Sequence, residues 1–185
     1  MKKTVLTFGL LAGGVLSAMM ALTMPFIEAI GFDKGELVGY TSMVAAFLLV
    51  FFGVRSYREQ LPGGTVRFGQ AFAAGALMTV VAALCYVLAW EVLRPRFAPD
   101  FMAKYQAYLI EDARANGDSD EAVAQLKAQM DQFAGWYENP FLRMAITFVE
   151  PLPVGLIVSL VSAGVLSRRR TTAQGPAMSG SPASM

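Results

Sequence analysis

Residues 141–166 read FLRMAITFVEPLPVGLIVSLVSAGVL, and Arg168-Arg169-Arg170 follow one residue later. An apolar run of this length meets the roughly 20 residues that a helix needs to cross a hydrocarbon core. Inside it stand one carboxylate, Glu150, and two prolines, Pro151 and Pro153. An ionised side chain near the bilayer centre costs about 3 kcal/mol on insertion scales. Each proline also removes a backbone donor and crowds the carbonyl four residues earlier. The stretch therefore predicts a membrane helix broken near Glu150, with that carboxylate turned toward protein or water rather than lipid.

Three more apolar stretches, 5–27, 37–54 and 68–92, lie close to or above spanning length in a chain of 185 residues that is 55% hydrophobic and 16% charged. Composition and spacing together predict an all-α polytopic membrane protein, with four transmembrane helices in an antiparallel bundle. Residues 1–170 form one four-span domain. The remainder, 171–185, is rich in Ser, Pro, Gly and Ala and reads as a disordered cytoplasmic tail.

Basic residues set the orientation. Lys2, Lys3, Arg55, Arg58, Arg67 and Arg168 to Arg170 fall on one side of the spans against a single acid, Glu59, while the other side carries seven cations and thirteen acids. The positive-inside rule then puts both termini in the cytoplasm of a multi-pass cytoplasmic-membrane protein. Lys2-Lys3 ahead of an apolar run and the small pair Ser17-Ala18 also resemble a secretory signal, but the run is too long for a typical signal core. Cleavage would leave three spans with the orientation of the rest unchanged.

Several chemistries lack their residues. The chain has no histidine, and its single cysteine, Cys85, lies in an apolar run and reads as a packing residue. Common zinc and haem arrangements, histidine general bases and an internal disulfide are thereby excluded, and no cofactor is expected. Pro62-Gly63-Gly64 reads as a tight turn, since no lysine with a following Ser or Thr completes a phosphate-binding loop. Small residues recur at every fourth position in three spans: Gly9, Gly13, Ser17 and Ala21; Ala71, Gly75, Thr79 and Ala83; Gly155, Ser159 and Ala163. Such stripes let membrane helices approach closely, within one chain or between copies.

The one long segment between spans, 94–140, begins with Pro95 and Pro99, which are expected to stop the third span. Met102, Tyr105 and Leu109 then fall at helical spacing, Asn116-Gly117-Asp118-Ser119 reads as a C-cap, a turn and an N-cap, and Val123, Leu126, Met130, Phe133 and Tyr137 continue as a second stripe. This predicts an extracytoplasmic helical hairpin between helices three and four. It is acidic on balance, which disfavours nucleic acid, and it reads as a cap over the bundle or as a docking surface for another envelope protein.

The candidate functional residues are Glu150, Pro151 and Pro153, with Glu91 and Glu28 as further carboxylates toward the same side. Three carboxylates from different helices would bind a cation or relay protons. Alternatively, Glu150 pairs with Arg143 or Arg94, or stands neutral. No catalytic residues are identified.

Blocks along the chain resemble a known family: Phe51-Phe52-Gly53-Val54-Arg55-Ser56-Tyr57-Arg58, Gly63-Gly64 with Phe68-Gly69-Gln70-Ala71-Phe72, Tyr86 with Trp90-Glu91, Tyr137-Glu138-Asn139-Pro140, and Glu150-Pro151-Leu152-Pro153-Val154-Gly155. In that order they are similar to bacterial integral membrane proteins of domain-of-unknown-function family 4199. The resemblance implies four spans with the long loop between the third and fourth, and it supplies no activity. The expectation is a non-enzymatic structural or interaction component, with the lipid bilayer and a second copy or another envelope protein as partners. The alternative is a subunit of a small transporter or channel that uses Glu150 at the broken helix.

Overall fold

A computed structural model describes residues 1–167, apart from the side chain of Glu28. The expected tail and Arg168 to Arg170 lie outside the described residues. In chain order the helices are α1 (Lys2–Thr23), the short α2 (Ile27–Ile30), α3 (Phe32–Glu59), α4 (Phe68–Phe97), α5 (Phe101–Ala115), α6 (Asp120–Glu138), α7 (Pro140–Val149) and α8 (Leu152–Leu166). Four units are long and apolar enough to span a membrane: Lys2–Phe26, Phe32–Glu59, Phe68–Phe97 and Pro140–Leu166. The fold is all-α, as the apolar periodicity predicts, with no strand among the described residues.

Around the bundle the order is α1, α3, α8 and α4, with α3 and α4 also meeting across the middle. Register fixes the directions. Gly9 faces Val81 and Gly13 faces Cys85, so α1 and α4 run parallel; Gly75 faces Ser159 and Gly155 faces Thr79, so α4 and α8 run antiparallel. The small-residue stripes are thus seams within one chain. A Cβ on Gly13 would stand 2.6 Å from the Cβ of Cys85, and one on Gly75 would stand 2.8 Å from Ser159 Oγ. Only glycine permits that approach, and close approach is how helices gain contact when lipid removes the hydrophobic driving force. Polar atoms in the seams are satisfied locally: Thr79 and Ser159 donate to the Gly75 and Gly155 carbonyls, and their hydroxyls lie 3.4 Å apart.

Phe47, Val50, Val54, Met78 and Ala82 fill the centre, fully buried. Leu10, Leu48, Leu84, Leu88, Ile157 and Val161 point outward and are exposed, the pattern of a bundle whose solvent on that side is lipid. Lys2, Lys3, Arg55, Arg58 and Arg67 gather at the end of the bundle that holds the N-terminus.

The third span differs from expectation. Pro95 lies inside α4, which continues to Phe97, and the Ala98 N–H bonds the Arg94 carbonyl. One proline in the last turn removes a single donor, too little to end a helix this long. The hairpin turn forms as its sequence predicts. Gly117 takes φ +84°, the Asp118 and Gly117 N–H groups bond the Ala113 and Arg114 carbonyls, and Ser119 Oγ accepts from the Ala122 N–H. Helices α5 and α6 pack on each other, and Phe32 at the start of α3 meets the rings of Phe101, Tyr105 and Tyr108 with centroids 5.2–5.9 Å apart. Tyr108 donates a hydrogen bond to Asp33, tying the hairpin to the bundle.

Candidate functional site

The fourth span begins where Asn139 Oδ1 accepts from the Phe141 and Leu142 N–H groups and Pro140 occupies the first helical position. It divides at Glu150-Pro151. Pro151 cannot donate to the Thr147 carbonyl, nor Pro153 to that of Val149. Even so, Glu150 N–H still bonds Ile146 and Gly155 N–H bonds Pro151, so the chain keeps its helical course across the break. Pro151 is fully buried, whereas Pro153 is exposed.

The break presents Glu150 to α4 about 15 Å along the helix from Pro140, at roughly 1.5 Å per residue. Its Oε1 accepts from the Tyr86 hydroxyl at 3.2 Å. The expected pairing with Arg143 or Arg94 does not form. Arg143 takes Glu91 instead, in a two-pronged pair with Nε to Oε1 at 2.8 Å and Nη2 to Oε2 at 2.7 Å. Its Nη1 donates to the Tyr137 carbonyl at 3.1 Å, and the guanidinium lies 5.8 Å from the Tyr137 ring centre. The reason is reach. Arg143, one turn into α7, sits beside the last turns of α4, whereas Glu150 is two turns deeper. Glu91, one of the three candidate carboxylates, is the structural acid here. The Arg94 Nε is buried without a hydrogen-bond partner. The side chain of Glu28, the third candidate carboxylate, lies outside the described residues.

Glu150 lines a cavity of about 500 Å³ between the bundle and the hairpin. Its walls come from α1 (Met19, Met20), α3 (Tyr40, Met43), α4 (Tyr86, Trp90), α5 (Phe101, Tyr105) and α6 (Phe133, Tyr137), closed by Ile146 and Thr147 of α7. Among the described residues it is lined by two carboxylates, Glu36 and Glu150, and by no lysine or arginine. Two wall hydroxyls are engaged by their own helices, Thr23 bonding Met19 and Ser42 bonding Val38. Around the rim three tyrosines are held protonated. Burial pushes the Tyr137 hydroxyl up to about 12, burial and then the Glu36 carboxylate raise Tyr105, and the hydrogen bond to Asp33 carries Tyr108 up to about 12.

The sequence reading missed this cavity and its aromatic wall. A signal was present. Phe101, Tyr105 and Tyr108 fall at helical spacing on α5, and Tyr86 and Trp90 are one turn apart on α4. Each alone is an unremarkable boundary aromatic, and only the packing makes them face one space.

Fold and site together define a four-span helical membrane protein with a hairpin-capped cavity. The chain belongs to the family described as "Protein of unknown function (DUF4199)", whose model matches residues 7–168. Comparison with curated proteins and with solved structures finds no match.

Proposed function

We propose that this protein is a non-enzymatic component of the cytoplasmic membrane, with both termini cytoplasmic, that binds a small guest in the cavity beneath its hairpin. The observation that carries this reading is the cavity itself. Its volume of about 500 Å³ falls within the roughly 300–1,000 Å³ of small-molecule sites, and its wall combines many apolar groups with a few polar ones. A structural component without a guest has no need of such a space at the junction of four spans and a cap. The non-enzymatic role is supported by wall hydroxyls engaged by their own helices and by Cys85 packed against Gly13 in the seam between α1 and α4.

Trp90 lines the cavity and Trp136, the other tryptophan of the chain, is exposed. In a Trp136→Phe protein in nanodiscs of zwitterionic lipid, Trp90 emission reports on occupancy. Benzyltrimethylammonium or its uncharged isostere neopentylbenzene should change that emission saturably. Gly39 lines the cavity with no atom within 4 Å of the place its Cβ would take, so Gly39→Phe should fill the space and abolish the response. A response that neither saturates nor depends on position 39 would overturn the reading.

The break at Glu150-Pro151 favours a second reading, a transporter or channel subunit in which Glu150 handles a cation or proton. It requires ion-dependent flux through reconstituted protein that Glu150→Gln abolishes while the protein stays folded.

A further inference from the structure

We infer that the guest of this cavity is a lipophilic organic monocation, an ammonium carried on an apolar or aromatic body, with Glu150 as its counter-ion. The inference rests on the reading of the cavity as a binding site and adds the chemistry of what it takes.

Three independent features point to it. The first is a carboxylate with no cationic partner. Among the described residues no ion pair reaches Glu150, and its hydrogen-bond partner, Tyr86, is neutral. The nearest candidate cation of the same helix is unavailable, because Arg143 directs its guanidinium to Glu91 and to the Tyr137 carbonyl. A carboxylate set among apolar groups is costly as an anion unless a cation joins it.

The second feature is the aromatic wall. Trp90 meets Phe101 edge to face at 5.1 Å, Phe101 stacks with Tyr105 at 5.9 Å, and Phe32 closes the group. The negative face of an aromatic ring attracts organic ammonium groups, which shed water more readily than small inorganic ions. The third is the thioether lining. Met19, Met20, Met24, Met43 and Met102 adapt to an irregular apolar body and supply no hard oxygen ligand. An inorganic cation would need several oxygens around it, and an anion would meet no lysine or arginine on the wall.

The test compares the two probes of equal shape by Trp90 emission in the Trp136→Phe protein, in zwitterionic nanodiscs so that surface charge does not concentrate the cation. After correction for lipid partitioning, benzyltrimethylammonium should bind at least about tenfold more tightly than neopentylbenzene. Glu150→Gln should reduce that preference, read as the ratio of the two probes' affinities in the same protein. Equal affinities in the unsubstituted cavity overturn the cation inference while the binding-site reading stands. Absence of any saturable response overturns both. Because the comparison of probes needs no change at position 150, a Glu150→Gln protein that fails to fold does not protect the inference.

Discussion

Removing one partner of the Glu91–Arg143 pair should destabilise the bundle far more than removing both together would suggest. In Glu91→Ala the guanidinium, on a residue only 8% exposed, keeps a single carbonyl bond and one ring face. A buried charge stripped of its partner costs about 3–5 kcal/mol. Arg143→Met leaves a carboxylate whose side chain is 19% exposed, which puts its electrostatic cost near the lower end, about 3 kcal/mol, and it also loses the bond to the Tyr137 carbonyl, about 1.5 kcal/mol for a charged donor. The double variant carries neither orphaned charge and should lose only about 2–4 kcal/mol in packing and that one bond. The coupling between the two positions is then about 3 kcal/mol or more. Reversible unfolding in lipid bicelles, followed by steric trapping on the four proteins of the cycle, measures it. Additivity within about 0.5 kcal/mol would refute the claim that this two-pronged pair holds α7 to the end of α4.

Three further outcomes follow from the geometry. Gly155→Val should cost about 1–3 kcal/mol, because a Cβ there lies 2.8 Å from Thr79 Oγ1 and 3.0 Å from Phe47 Cε1, whereas Gly164→Val, with nothing within 4 Å, should change unfolding little. Ser119→Ala should loosen the first turn of α6 by about 1 kcal/mol, seen as faster amide exchange from residue 120 onward with the spans unaffected; uniform exchange across the spans would count against a local cap. Hairpin docking should also depend on alkaline pH. Tyr108 donates to Asp33, and its pKa is raised from 10.0 to about 12 in the folded state, so protonated Tyr108 favours folding. The contribution is full below about pH 10 and lost as pH climbs through about 12. Crosslinking between α5 and the start of α3 should fall across that window, and an identical fall in Tyr108→Phe would rule the contact out as its cause.

Much of this protein was legible from the order of its residues because a bilayer leaves a chain few choices. Four apolar stretches must become helices, since no other local structure satisfies its own backbone in lipid. Basic clusters beside them, the stop at Pro99, and the caps at Gly117 and Ser119 follow from local chemistry. The small-residue stripes announced close packing, and Glu150 with its two prolines announced a broken helix.

What sequence alone left undecided was pairing. Nothing in the spacing of Gly9, Gly13, Gly75 and Gly155 says that α1 lies along α4 and α8 along its other side, because small stripes are interchangeable partners until the whole bundle is packed. The same holds for charge. Arg143 has Glu150 on its own helix, yet it binds Glu91 from another, because side-chain reach is set by the depth at which each helix crosses its neighbour. That exchange is what leaves Glu150 with a tyrosine for company, facing a space whose wall is assembled from several helices and therefore appears in no single one of them. A four-span membrane bundle under a helical hairpin follows from the order of the residues, because lipid forces apolar stretches into helices. That the carboxylate at the break is free of cations among the described residues and opens into an aromatic cavity follows from how those helices pack.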